Sequence, residues 1–323
     1  MKIGVTGANG FVGTHLISKL EIEGHDVTAL VRDKTTISGS TKVSVVEIPS
    51  INGQLDVKSL SEKLKGLDAL IHLAGHVHQM TANGIETTFH DVNVLGSMRL
   101  FEAANKAGIK RFIFLSSVKA AGERSGESSL TLDNSPGPED AYGRSKRDAE
   151  IELQALAANA TCNLTILRAT FVYGWPPVGN FKSVINAVQK GIPLPLSAIR
   201  NRRHMVYVGN LVDALCRACT LDTLASSPYF VADNDPVSTP DLFRLTGKAF
   251  GTPAKLFPMP VWLLRLAGAL TRRRHIIARL TENLEVDTAP FRRDADWLPP
   301  YNMSEGLMIC ADNQAQSMKD GKR

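Results

Sequence analysis

The sequence predicts an α/β protein, a doubly wound parallel sheet carrying a smaller C-terminal α/β lobe. Three observations lead there. Short apolar runs alternate with helical patterns through the first half of the 323 residues, a glycine-rich loop joins the first run to the first helix, and the prolines of "GWPPVGN", "GIPLPL" and "LFPMP" break up the second half. Apolar strands alternating with helices specify a parallel sheet covered on both faces. The predicted boundaries are 1–170 for the sheet domain, 171–314 for a lobe interleaved with the sheet, and 315–323 for a polar, frayed tail.

Each element has its own signal. "KIGVT" reads as the first strand and Phe11 to Glu23 as the first helix. "HDVTALV" and "KVSVVEI" are the second and third strands, followed by the stripe of Leu60, Leu64 and Leu67. "DALIHLA" is the fourth strand, Gly84 to Ala107 a long helix, and "RFIFLSS" the fifth strand. Ala141 to Asn159 is helical and "NLTILRA" is the sixth strand. No apolar run reaches the roughly 18 to 20 residues of a membrane span.

Composition narrows the function. Hydrophobic residues make up 43%, enough for a sizeable core, and the net charge of +5 is spread along the chain. Scattered basic residues argue against nucleic acid and suit a pocket for phosphate-bearing ligands. Of the four cysteines, Cys216 and Cys219 form a lone C-x-x-C inside a helical pattern. With no second pair to complete a zinc site, they read as small buried hydrophobes, and the usage fits a reducing cytoplasm. No signal peptide is visible, because the first apolar run belongs to a strand and a glycine turn. His76-x-His78 follows the fourth strand without a third ligand in spacing, so no metal is expected and His78 reads as a pocket-lining contact.

The loop "GVTGANGFVGTHL" has Gly7, Gly10 and Gly13 in the spacing G-x-x-G-x-x-G, directly after a strand and opening a helix. A helix N-terminus offers unpaired N–H groups and the positive end of its dipole to a pyrophosphate, and glycines let the backbone approach it. The loop residues Gly7, Asn9, Gly10, Phe11, Val12 and Gly13 therefore become cofactor candidates. The alternative is a tight turn that holds nothing. An acid at the tip of the second strand selects NAD through the ribose 2′-hydroxyl, whereas a nearby arginine accommodates the 2′-phosphate of NADP. Here Val31 and Arg32 occupy the tip and Asp33 comes one step late. NADP(H) is favoured, with NAD(H) as the alternative.

"AYGRSKRDAE" places Tyr142 four residues before Lys146, on one helix face. An ammonium beside a phenol favours the phenolate and lowers its pKa, and such a tyrosine can give or take a proton at an alcohol or carbonyl. Ser116 and Ser117 close the fifth strand, where α/β sheets place ligands, and a hydroxyl there can hydrogen-bond the same oxygen.

Together "TGANGFVG", "HLAG" at 72–75, "NVLGSMRLFEAANKAGIKRFIFLSS" and "YGRSK" resemble the extended short-chain dehydrogenase/reductases, the group of nucleotide-sugar epimerases, dehydratases and reductases. The resemblance runs through nearly the whole chain. It implies a Rossmann-type domain and a C-terminal lobe that binds a nucleotide sugar. It implies Tyr142 as acid/base, Lys146 as its partner and holder of the nicotinamide ribose, and Ser117 as the matching hydroxyl with Ser116 beside it. It further implies Asp56 and Val57 flanking the adenine, Leu73, Ala74 and Gly75 at the cofactor, and Asn93 as the structural asparagine of the long helix. UDP-sugar epimerases of the family carry an acid where this chain has Val31.

On the substrate side, "RATFVYGWPPVGNF" resembles the loop leading into the lobe and makes Asn180 a ligand contact. "NRRHMVYVGNLVDAL" resembles the segment that makes Arg203 a pyrophosphate clamp, with Arg202 competing. Family dehydratases carry an Asp-Glu pair just after the catalytic hydroxyl. Val118 and Lys119 stand there instead and argue against dehydration. The segments "GIPLPLSAIRNRRHMVYVGNLVDAL" and "FRRDADWLPPYNMSEGL" resemble bacterial reductases of UDP-4-keto-6-deoxy-N-acetylhexosamine, which make O-antigen sugars. Reduction at C4 is the leading expectation and 4-epimerisation with retained NAD the alternative. A non-catalytic NADP sensor is a third reading, opposed by the joint presence of Ser117, Tyr142 and Lys146. The resemblance also implies a homodimer paired through the helices of Asn93 and Tyr142. "PMPVWLLRLAGALTRRRH" reads as a buried helix with a solvated end, and alternatively as a peripheral membrane helix.

Overall fold

The run "KIGVT" forms β1 (Lys2–Thr6), buried from Ile3 onward. It pairs in parallel with β2 (Asp26–Val31) on one side and β4 (Ala69–His72) on the other. A computed structural model describes residues 1–36, 43–76, 88–222 and 224–320. β3 (Ser44–Glu47), β5 (Arg111–Ser117), β6 (Asn163–Ala169) and β9 (Tyr229–Val231) complete a seven-stranded parallel sheet ordered β3-β2-β1-β4-β5-β6-β9. The chain builds outward from β1 to β3, returns to β4 and then builds the other way. That reversal opens a crevice beyond the carboxyl ends of β1 and β4, the usual ligand position in such sheets.

Two cores cover the two faces. Ile3 and Val5 pack with Leu16 and Leu20 of α1 (Phe11–Ile22) and Leu211 and Leu215 of α6 (Val208–Thr220). On the other face Leu70 joins α2 (Val57–Leu64), Leu100 and Phe101 of α3 (Gly96–Lys106) and Leu153 of α4 (Ala141–Ala157). All four cysteines are buried and unpaired, Cys216 and Cys219 among the first core.

The second half holds the small sheet of β7 (Phe171–Tyr173) and β8 (Met205–Tyr207), with α5 (Gly179–Gln189), α7 (Thr239–Ala249), α8 (Val261–Leu270), α9 (Arg274–Thr281), α10 (Ala289–Ala295) and α11 (Met303–Asp320). β9, three residues from this half, returns to the main sheet beside β6. It is too short to carry a periodic signal, and the sequence reading did not include it.

Three other elements differ from expectation. The described part of the long helix contains a π turn, His90–Leu95, before α3, while 84–87 lie outside the described residues. Such turns recur at functional sites, and this one carries Asn93. The polar stretch from Ala315 continues α11 as far as Asp320 rather than fraying at once. The apolar segment 261–270 is a helix but not a buried one. Leu264 and Gly268 face inward, while Trp262, Leu266 and Leu270 are exposed. Apart from Arg265 the helix is apolar, yet the lobe covers only one of its faces.

Candidate active site

The glycine loop ends β1 and starts α1 with the geometry a phosphate cradle needs. Gly7 has φ +68°, and a Cβ there would lie 2.8 Å from the backbone nitrogen of Ala74. A Cβ on Gly13 would lie 2.1 Å from the carbonyl oxygen of Gly7, so helix and turn touch backbone to backbone. Gly10 caps α1 without any side-chain hydrogen bond, leaving the first-turn N–H groups to an outside anion. Asn9 and Gly10 are exposed, and Phe11 and Val12 half-buried. These residues fit the pyrophosphate of a dinucleotide. Gly13→Ala is expected to destabilise the fold by about 1–3 kcal/mol through overpacking and to weaken dinucleotide binding. Urea unfolding and cofactor titration check both.

Beneath the crevice runs a buried polar chain that the sequence reading did not identify. Thr6 Oγ1 lies 2.7 Å from His72 Nδ1, and His72 Nε2 lies 2.9 Å from Ser97 Oγ. Ser97 donates to the Asn93 carbonyl and Thr6 accepts from the Ala74 N–H. One assignment satisfies every donor: a neutral His72 with its proton on Nε2, accepting from Thr6. Burial, with Lys146 nearby, pushes His72 down to about 3, so it stays neutral. A histidine inside an otherwise apolar strand was the available signal. Asn93 continues the network. Its side chain accepts from the His76 N–H at 2.7 Å and donates to the His76 carbonyl and to Ser145 Oγ. His76 is thus held by its backbone, and His78 lies outside the described residues.

α4 presents the tyrosine. Asp140 caps it, accepting from the Gly143 N–H at 2.7 Å, and also pairs with Lys119. Ser117, at the end of β5, hydrogen-bonds Tyr142, and its hydroxyl also caps the following 3₁₀ turn at Lys119 N. Lys146 is buried. Its ammonium donates to the Leu115 carbonyl at 2.9 Å, lies 4.5 Å from the Phe114 ring centre and sits beside Gly75. Burial pushes the Tyr142 phenol up to about 12, opposed by the Ser117 hydrogen bond and aided by the Asp140 charge. Burial also pulls Lys146 down to about 8. The sequence expectation of a phenol lowered by the lysine does not describe this geometry, because the ammonium is spent on a carbonyl and a ring face.

Ser116 points the other way along the strand. Its hydroxyl donates to Glu150 at 2.5 Å, joining a buried pair with Arg168 rather than the tyrosine. Val118 is buried and Lys119 is paired with Glu123 and Asp140, so neither position offers an acid or base.

Arg32 is exposed at the end of β2, where it lines a cleft of about 660 Å³ with Lys34 and Lys63. Asp33 turns away, accepting from the N–H and hydroxyl of Thr35, which lower its pKa. Asp56 is the N-cap of α2, accepting from Lys58 N, with Val57 half-buried beside it.

A second cavity of about 690 Å³ opens next to Asp140, between the 123–140 loop and α8–α9. Arg279 lines it and is held by Glu123 at 3.1 Å. Arg203 reaches the Glu282 carbonyl at its rim, and burial, with the Arg279 charge, pulls its pKa down to about 10. Arg202 is exposed and paired with Glu285. Asn180 is exposed on the first turn of α5. Arg279 belongs to no motif of the sequence, since only folding brings α9 to the cavity beside Asp140.

A model described as the NAD dependent epimerase/dehydratase family matches residues 3–230. A UDP-glucose 4-epimerase of Vibrio cholerae is 35% identical over 309 residues, covering 94% of this chain and 92% of that one. An N-acetyl-α-D-glucosaminyl-diphospho-ditrans,octacis-undecaprenol 4-epimerase of Escherichia coli O157:H7 is 25% identical, over 93% and 91%. Among solved structures, UDP-glucose 4-epimerase from Thermotoga maritima with UDP-glucose superposes with a TM-score of 0.77 at 21% identity, over 98% of this chain and 100% of that one. MoeE5 with UDP-glucuronic acid and NAD superposes at 0.76 and 22% identity, over 98% and 100%. At such identities the structures speak for the fold alone. The family match spans well over half the chain and agrees with the sheet order and the glycine cradle. On these grounds the chain belongs to the NAD-dependent epimerase/dehydratase family.

Proposed function

We propose that this protein is an enzyme that uses NADP(H), with NAD(H) as the weaker partner, to reduce C4 of a UDP-4-keto-6-deoxy-N-acetylhexosamine. Residues 1–170 hold the cofactor and 171–314 the nucleotide sugar. The observation that carries the reading is the end of β2. Asp33 is committed to Thr35, while Arg32 and Lys34 leave cationic groups where a 2′-phosphate would lie. Arg32→Ala is expected to lower NADPH affinity by roughly 10- to 100-fold, the worth of a charge-assisted hydrogen bond, with little change for NADH. Fluorescence titration with both nucleotides reads this.

The loop Gly7–Gly13 would take the pyrophosphate, Asp56 and Val57 would flank the adenine, and Leu73 to Gly75 with Asn93 would support the cofactor wall, whereas Ser116 is committed to Glu150. A nicotinamide bound there would supply hydride for C4. Ser117 orients the C4 oxygen by a hydrogen bond. Tyr142, protonated at neutral pH, donates its phenolic proton to that oxygen as negative charge develops there. Lys146, four residues on along α4, would hold the nicotinamide ribose. Arg203 and Arg279 clamp the sugar-nucleotide diphosphate, with Asn180 and His78 as further contacts. Two copies pair through α3 and α4, an arrangement that sedimentation of the purified protein checks.

A second reading is a UDP-sugar 4-epimerase, favoured by the 35% identity to the Vibrio cholerae enzyme of that name. The same residues would then move the proton both ways around a retained cofactor. One experiment separates the readings. The protein is denatured, released nucleotide is identified, and the native protein is offered NADPH or NADH with the 4-keto sugar. Little retained nucleotide and stoichiometric oxidation of NADPH support the reductase. Retained NAD, no net oxidation and interconversion of UDP-GlcNAc with UDP-GalNAc, or of the glucose pair, overturn it.

A further inference from the structure

We infer that the α8–α9 hairpin docks this protein onto an anionic lipid bilayer surface. Two features coincide there. Trp262, Leu266 and Leu270 recur at four-residue spacing, so they form one stripe on α8. They are 65%, 50% and 77% exposed, and Phe257 and Ile276 extend the apolar surface on either side. The inward stripe of Leu264 and Gly268 already anchors the helix, so the outward stripe contributes nothing to the core of this chain. Contiguous exposed apolar surface of this kind marks an interaction site.

The second feature is charge. Between Asp241 and Glu282 the sequence has no acidic residue and eight lysines and arginines, more positive charge than the net +5 of the whole chain. Arg272 and Arg273 are exposed, and among the described residues neither has an acidic partner, while the exposed Arg265 and Arg274 line the cavity that also holds Glu123, Glu139, Asp140 and Glu282. Arg272 sits just beyond the end of α8 with φ +57°, a left-handed position that favours glycine. A cation is kept there against backbone preference.

Tryptophan and leucine on one face with arginines around them is the composition of a helix that lies in a bilayer interface. α8 has ten residues, and no described helix is long and apolar enough to cross a membrane, so the hairpin lies on the bilayer rather than through it. A neutral protein partner would leave the arginines unmatched, whereas anionic headgroups complement them. The hairpin's other side lines the cavity next to Asp140, through Arg265, Ala269, Arg274, Ile277 and Arg279, which leaves Arg272 and Arg273 at the turn for the headgroups. Docking therefore sets the mouth of the candidate substrate cavity at the membrane surface. The inference stands on the hairpin alone and does not depend on which reaction is catalysed.

The test is sedimentation of the full chain with vesicles of phosphatidylglycerol and phosphatidylethanolamine, and with vesicles of phosphatidylcholine. Binding is expected to the anionic vesicles, to weaken with salt, and to come with a blue shift of Trp262 fluorescence. The Arg272→Gln/Arg273→Gln variant is expected to bind roughly 10- to 30-fold more weakly, on the order of fivefold per arginine at an anionic surface. Trp262→Ser/Leu266→Ser is expected to lose binding while NADPH affinity is unchanged. These side chains are exposed, so both variants should fold, and circular dichroism checks that they do. Equal binding to both vesicle types overturns the inference, as does binding by the variants as tight as by the parent. So does a concentration-dependent dimer that the apolar variant abolishes, since a second copy would then cover the stripe.

Discussion

Tyr142→Phe is expected to lower turnover by ~10²–10⁴-fold, the usual worth of a positioned acid, while NADPH still binds. Burial pushes the phenol up to about 12, and the Ser117 hydrogen bond only partly offsets it. Between pH 6 and 9 the group is therefore a proton donor. The pH profile adds a second check. Burial leaves Lys146 at about 8, so its positive charge is lost as pH rises through that value, and activity should fall there. Lys146→Met should abolish that limb and be slow at every pH. Stopped-flow oxidation of NADPH with the 4-keto sugar reads both. A wild-type protein that binds NADPH but turns over neither a keto sugar nor a UDP-hexose would instead mark a sensor and sink the catalytic assignment.

Arg168→Met is expected to cost about 3–5 kcal/mol of stability, the cost of leaving one buried charge without its partner. Arg168 and Glu150 are each 1% exposed, with Nη2 of the arginine 2.6 Å and its Nε 2.9 Å from the two carboxylate oxygens. The guanidinium also lies 5.4 Å from the Phe230 ring centre. Without it the carboxylate would keep, among the described residues, the Ser116 hydroxyl as hydrogen-bond donor and the Lys146 charge nearby. Glu150 stands on α4 eight residues beyond Tyr142, so turnover should fall together with the urea midpoint. The double variant Arg168→Met/Glu150→Gln should recover much of the loss. A single variant within 1 kcal/mol of the parent would mean that water or rearrangement reaches the pair, and its structural role would be withdrawn.

The parts of the site that sequence made legible are those set by local geometry. A glycine loop between a strand and a helix, and a tyrosine four residues before a lysine, depend on spacing along one or two elements. The structure brings them to the carboxyl ends of neighbouring strands, with Gly75 of the "HLAG" segment beside the ammonium of Lys146. Ser117 was legible for the same reason, as the last residue of a strand. The Thr6–His72–Ser97 chain was not, because its members lie on three elements and each looks ordinary alone. Nor was the role of Ser116, since alternation along β5 turns it to the face opposite its neighbour, where Arg168 and Glu150 wait.

By itself the sequence determined the α/β class, six of the seven strands, the glycine turn between β1 and α1 and the spacing of Ser117, Tyr142 and Lys146, because hydrophobic period and residue spacing are properties of short segments. Tertiary structure alone decided that β9 closes the sheet and that Arg279 faces the cavity beside Asp140. It also decided the ionisation of the pair at the site: burial sets the Tyr142 and Lys146 values, whereas their spacing predicted the opposite direction for the phenol. The same holds for α8, whose apolar stripe reads as core in one dimension. Only the packing of the lobe shows that one side of it is covered and the other is left to solvent, with arginines around it.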